Sequence, residues 1–154
     1  ATNDEIAGAG KGFVDKFAFN ETFIERVAGE LNAPWGLAIA PPSFGPTAGD
    51  LLVGNFGDGT IVAFDPTTHT AIDYLRNAQG QPISIEGLWG LQFGNGASLG
   101  MSDAMSFEAG QHDQTEGLFG RIQAAPIPEP ETWALYVAGL TLLGSIARRR
   151  RESV

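Results

Sequence analysis

Cysteine is absent from all 154 residues, which excludes disulfides and thiolate-held metals. Histidine is nearly absent. His69 and His112 stand 43 positions apart in polar, loop-like contexts, and no spacing sets two imidazoles on one metal. Solvated loop histidines are the simpler reading. Positive charge is scarce until the end of the chain. Up to Ala125 it comes from Lys11, Lys16, Arg26, Arg76 and Arg121 against fifteen acids, about −10 in a chain whose total is −9. That balance excludes electrostatic binding of nucleic acid or anionic lipid and leaves no nucleic-acid partner to expect. Neither a nucleophile elbow nor a phosphate loop is present, and Gly57-Asp58-Gly59 is a hairpin-turn signal. No catalytic constellation is visible.

What is present is a series of short β-type runs punctuated by glycine and proline: residues 12–17, 22–27, 35–39, 50–54, 60–64, 71–75, 88–93, 105–109 and 117–122. An internal repeat organises them. Trp35-Gly36-Leu37-Ala38-Ile39 returns as Trp89-Gly90-Leu91-Gln92-Phe93, 54 positions on, and Gly12 with Phe17 returns as Gly59 with Phe64, 47 positions on. A four-stranded unit with a period near 50 has the size of a propeller blade. Laid out that way, the chain holds two outer strands of one blade, a complete blade over Trp35–Leu75 and three strands of another. The expected fold class is all-β, a partial β-propeller of about two four-stranded antiparallel blades, with a nine-strand sandwich as the alternative.

The last quarter changes character. Pro128, Glu129 and Pro130 precede an uncharged, proline-free run over 132–147, and Arg148, Arg149, Arg150 and Arg151 follow it. As a helix those sixteen residues span roughly 24 Å, against roughly 30 Å of hydrocarbon core. Trp133 and Tyr136 at one interface and snorkelling arginines at the other would extend the reach. The expectation is one C-terminal transmembrane helix anchored through Trp133, Ala134, Leu135, Tyr136, Leu140, Leu142, Leu143 and Ile146. The four arginines act as a stop-transfer signal that puts the C-terminus in the cytoplasm. Residues 1–125 then form the extracytoplasmic domain, 126–131 a proline-rich linker and 148–154 a basic tail. An outward-facing domain requires an export signal, and Ala1 opens without a basic or apolar leader, so further sequence ahead of it is expected.

In this order the tail resembles the PEP-CTERM sorting signal of Gram-negative bacteria. Pro128-Glu129-Pro130 matches its name-giving motif, Trp133-Ala134-Leu135 the start of its helix, and Arg148–Arg151 its basic end. The resemblance implies processing by an exosortase-type enzyme, transient residence in the bacterial inner membrane with the main domain in the periplasm, and final delivery to the cell surface or extracellular matrix. Residues 31–41, 49–61, 87–96 and 117–120 are similar to an NHL-like family of bacterial propellers that brings no established activity, so it supplies no catalytic residues.

Two functions remain open at this level. One is a non-enzymatic, envelope-sorted surface or matrix protein whose propeller binds an unknown surface or polysaccharide ligand. The other is an extracytoplasmic calcium-dependent propeller hydrolase of lactonase type. Asn55, Asp58, Asp65, Asn95 and Asp113 offer oxygens hard enough for Ca²⁺. Turn chemistry alone accounts for Asn55 and Asp58, however, so no cofactor beyond a weak possibility of Ca²⁺ is expected. Trp35 and Trp89, at equivalent repeat positions, are expected to be core anchors rather than ligand-stacking aromatics.

Overall fold

The computed structural model describes residues 6–124. Nine strands lie among them: β1 (Gly12–Phe17), β2 (Phe23–Leu31), β3 (Pro34–Ile39), β4 (Leu51–Asn55), β5 (Ile61–Phe64), β6 (Ala71–Tyr74), β7 (Leu88–Phe93), β8 (Ala104–Gly110) and β9 (Glu116–Gln123). Each falls on one of the short runs seen in the sequence. They form three small antiparallel sheets in the orders β1-β2, β3-β4-β5-β6 and β7-β8-β9, every pairing being between sequence neighbours.

The sheets stack face to face because their residues alternate. In β4, Leu52 points to the third sheet and Val53 to the first. One cluster gathers Leu52, Ile61 and Ala63 with Leu88, Leu91 and Met105 between the middle and third sheets. The other gathers Ala28 and Leu31 with Val53, Val62 and Phe64 between the first and middle sheets. Leu52, Ile61, Leu88 and Met105 are fully buried, each contributing about 1.5–3 kcal/mol of transfer free energy. At the far edge of the larger cluster Phe44 meets Phe93 edge to face, with ring centroids 4.8 Å apart.

The 54-residue repeat is realised pair by pair. Pro34–Asn55, Gly36–Gly54, Leu37–Val53, Ala38–Leu52 and Ile39–Leu51 in the middle sheet correspond to Leu88–Ala109, Gly90–Glu108, Leu91–Phe107, Gln92–Ser106 and Phe93–Met105 in the third. A β-bulge falls on the tryptophan in both copies, between Pro34 and Gly36 and between Leu88 and Gly90. The residue before each copy sits in left-handed backbone: Ala33 at φ 50° and its counterpart Gly87 at φ 65°. The copies part company at the next turn. Gly54 pairs with Ile61 whereas Glu108 pairs with Phe119, so the second hairpin is four residues longer, its ladder running on through Ala109–Leu118 and Gly110–Gly117 to a Gln111–Glu116 bridge.

The expected fold class is corrected at its C-terminal end. Among the described residues no helix is long and apolar enough to cross a membrane. The run 132–147 that carried the expectation lies outside the described residues, as do Pro128, Glu129, Pro130 and Arg148–Arg151. By length alone that run reaches only roughly 24 Å of a roughly 30 Å core. The architecture of the described residues is thus three stacked antiparallel sheets, with no membrane-crossing helix among them.

Glycine makes the stacking of the middle and third sheets possible. A Cβ on Gly36 would lie 2.8 Å from Leu91 Cγ and 3.0 Å from the Leu91 backbone nitrogen, and one on Gly54 would lie 2.8 Å from Leu88 Cδ2. Gly90, the counterpart of Gly36, meets nothing closer than Glu108 Oε2 at 3.5 Å. Thermal unfolding should therefore separate two identical substitutions: Gly36→Ala lowers Tm by several degrees, while Gly90→Ala, where a methyl has room, leaves it within about two degrees, an effect of at most about 0.5 kcal/mol.

Candidate functional site

The polar side chains concentrate at the end of the stack where β4 finishes and β5 begins. Asn55, the one buried polar residue there (3% exposed), accepts the Asn32 backbone N–H on Oδ1 at 3.0 Å and donates from Nδ2 to Thr60 Oγ1 at 3.0 Å. Asp58 accepts from Asn32 Nδ2 at 3.0 Å and, on its other oxygen, from the Thr60 backbone N–H at 3.0 Å and the Thr60 hydroxyl at 2.6 Å. Ser84 donates to the Asp58 carbonyl at 2.7 Å. Gly57 and Gly59 allow this knot to close. A Cβ on Gly57 would collide with the Asn32 side chain, and one on Gly59, at φ 72°, with the backbone of Ile85. Three separate stretches of chain are tied together here, so the cluster's first role is to hold the rim.

The turn of the longer second hairpin occupies the same rim. His112, Asp113 and Gln114 are all left-handed, at φ 51°, 52° and 65°, a conformation costing roughly 1–2 kcal/mol per residue without glycine. The turn is held from outside: Glu86 accepts the His112 backbone N–H at 3.0 Å, and Thr115 donates to the His112 carbonyl at 2.7 Å. His112 Nδ1 lies 3.2 Å from Glu116 Oε2, with both side chains exposed. Trp89 packs on Gly110 at the base of the turn.

The residues considered as calcium ligands are divided between the two ends of the stack. Asn55, Asp58 and Asp113 lie on this rim. Asp65 follows β5 and Asn95 follows β7 at the opposite end, on the order of 15 Å away across strands of four to six residues. Asp65 spends its carboxylate on the backbone N–H groups of Thr67 and Thr68, at 2.7 and 2.8 Å, which hold its pKa below the ordinary value. Asn95 caps Ala97 and Leu99 in the same manner. Among the described residues no group of three or more His, Asp and Glu side chains could hold a metal ion. His69 reaches toward Glu25 at 3.9 Å and belongs to no cluster with His112.

The expectation for the tryptophans is half corrected. Trp89 is half-buried over Gly110, but Trp35 is 54% exposed, tilted against Phe56 with centroids 6.0 Å apart. Asn32, Thr60, Ser84, Glu86 and Glu116 were not singled out in the sequence. The Asp58-Gly59-Thr60 turn signal could have pointed to Thr60. The others meet only through pairing between distant strands. On the outer surface Asp73 receives Arg76 Nε and Nη2 at 2.9 and 2.7 Å and the Tyr74 N–H at 2.8 Å, lowering its pKa to about 2. Burial pushes the Asp50 pKa up, aided by the charge of Asp65.

No family model matches the chain, and no solved structure matches it. Curated proteins of Acanthamoeba polyphaga mimivirus do. It is 42% identical to uncharacterized protein R648 over 88 residues, 56% of the chain and 22% of R648. It is 38% identical to uncharacterized protein R640 over 90 residues, 56% of the chain and 17% of R640. It is 33% identical to uncharacterized protein L690 over 115 residues, 73% of the chain and 29% of L690. The chain thus spans less than a third of the length of these relatives. The resemblance to bacterial PEP-CTERM proteins is corrected accordingly: the matched relatives are viral, and no family model supports a sorting signal. Placement in a bacterial inner membrane with a cytoplasmic C-terminus is withdrawn on the same finding, together with the lack of a membrane-crossing helix among the described residues.

Two measurements probe this geometry. Asn55→Ala strands the Asn32 N–H and removes a partner of Thr60, and chemical denaturation should show a loss of about 1–3 kcal/mol. NMR titration of the Asp73 carboxyl should give a midpoint near 2, moving up toward 3.8 in Arg76→Ala. A depressed carboxylate pKa contributes stability above the unfolded value, so this contribution is complete above 3.8 and is lost as pH falls through about 2.

Proposed function

We propose that the chain is a non-catalytic binding module, a stack of repeated sheets whose rim presents turns to a polar partner. The observation that carries this reading is the commitment of the side chains considered as calcium ligands. Asp65 and Asn95 are engaged by backbone within their own turns, Asn55 and Asp58 by Thr60 and by Asn32 across the rim, and the acids are split between opposite ends. The second repeat, by contrast, extends its hairpin by four residues and so carries outward an exposed turn with three strained backbones in succession. Strain held in place by surrounding bonds clusters at functional sites, ligand clamps among them. The strongly acidic balance disfavours anionic partners, and we assign to Glu86, His112 and Glu116, which can accept hydrogen bonds from hydroxyls, an uncharged hydroxyl-rich surface such as a polysaccharide.

The test is a binding screen on immobilised neutral polysaccharides. The chain should bind at least one of them, and deletion of residues 111–114, which restores the hairpin length of the first repeat, should abolish binding with little change in Tm. Calcium is expected to leave Tm unchanged at millimolar concentration, and lactone and ester substrates are expected to remain intact. A calcium-dependent rise of several degrees accompanied by substrate turnover would establish the hydrolase reading instead.

A further inference from the structure

The β3–β4 and β7–β8 pairs are the same unit present twice, yet only one of them is covered. Leu91 rests on Gly36 and Gly54 of the middle sheet and is 8% exposed. Its counterpart Leu37 is 47% exposed, and Trp35 and Ile39 beside it are 54% and 58% exposed. Leu37 and Ile39 pair with Val53 and Leu51, so this apolar stripe continues the face on which the first sheet lies. The first sheet does not reach it.

The reason lies in the other repeat. At the 47-residue offset, Val14 and its partner Ala28 correspond to Ile61 and Leu75, which are joined by a 2.8 Å bond from the Leu75 N–H to the Ile61 carbonyl. Thus β1–β2 is the outer pair of a sheet, equivalent to β5–β6. In the middle sheet the other edge of β5 carries β4 and then β3. Among the described residues the corresponding edge of β1 carries no strand.

We infer that the Trp35–Leu37–Ile39 face and the free edge of β1 form one docking site for a β-hairpin of the β3–β4 kind, belonging to the same polypeptide. Its second strand pairs with β1, and its first lies over Leu37 with glycine at the positions of Gly36 and Gly54. The repeat specifies that chemistry, because Leu91 is accommodated only where those two side chains are absent. The matched span fills 17 to 29% of the viral relatives, which leaves ample chain for such a hairpin in proteins of this kind. A second copy stacked head to tail fits poorly. On the outer face of the third sheet Glu108 replaces Gly54, Ser106 replaces Leu52 and Gln92 replaces Ala38, so a carboxylate would face Leu37. The inference does not depend on what the rim binds.

The chain lacks cysteine, so Leu37→Cys introduces a unique thiol. In the 154-residue protein it should react freely with a maleimide at every protein concentration. In a chain with residues 34–55 duplicated ahead of β1, the reaction should slow by about tenfold or more, and Val at the added copy of Gly36 should restore it. Equal reactivity in a folded duplicated chain overturns the inference, as does concentration-dependent protection of the 154-residue protein together with a dimer mass. An independent comparison needs no added segment. Leu37→Ser should leave Tm nearly unchanged, whereas Leu91→Ser, its counterpart, should lower it by ten degrees or more. Equal losses would mean that the Leu37 face is already covered, and the inference fails.

Discussion

Two missing side chains govern the arrangement of this molecule. Gly36 and Gly54, paired across β3 and β4, let Leu88 and Leu91 descend onto the middle sheet until side chain meets backbone. The larger apolar cluster collects around that approach: Leu52, Ile61 and Met105 are sealed because the third sheet sits as close as it does. Had either glycine carried a methyl, the sheets would separate by a few tenths of an ångström or more, and close-packed interiors forfeit much of their dispersion energy over such gaps. The third sheet cannot bury its inner face alone, so its order is borrowed from this contact.

The same pair of positions explains why two copies of one motif now differ. Where the unit is an interior layer, its outward face is Gly54, Leu52 and Ala38. Where it is the last layer described, the face carries Glu108, Ser106 and Gln92. Polar replacement on the outermost layer is the means by which repeat architectures end a stack in water. The rim diverges too, through the four-residue extension bearing His112, Asp113 and Gln114. Core positions thus keep the register while turns and outer faces change, the division of labour expected when a scaffold supports recognition.

Strand positions were legible because each run is short, β-type and bounded by turn residues, and the Trp-Gly-Leu repeat predicted which strands are equivalent. The exposure of Trp35 was not legible: residues 35–39 and 89–93 have the same pattern, and only the neighbouring sheet decides whether an apolar side chain is covered. The Asn32–Asn55–Asp58 network was invisible for a related reason. Its members are 23 and 26 residues apart and meet only when β4 returns beside the start of β3. The tail illustrates a different failure. Pro128–Arg151 has the chemical order of a sorting signal, but order of chemistry is not ancestry, and the matched relatives are viral.

The meander topology has a consequence for how the chain reaches this state. Every strand pairs with its neighbour in sequence, so each sheet closes short loops, whose entropic cost grows only slowly with length. Pairing within a sheet can therefore begin early, and the slow, non-local event is the docking of one sheet on the next, which fixes the order of both. Unfolding then runs in the reverse sense: the third sheet can lift from Gly36 and Gly54 as a unit while the register of β3–β6 survives. Hydrogen exchange would sense this molecule as a succession of separable layers rather than as a single cooperative block.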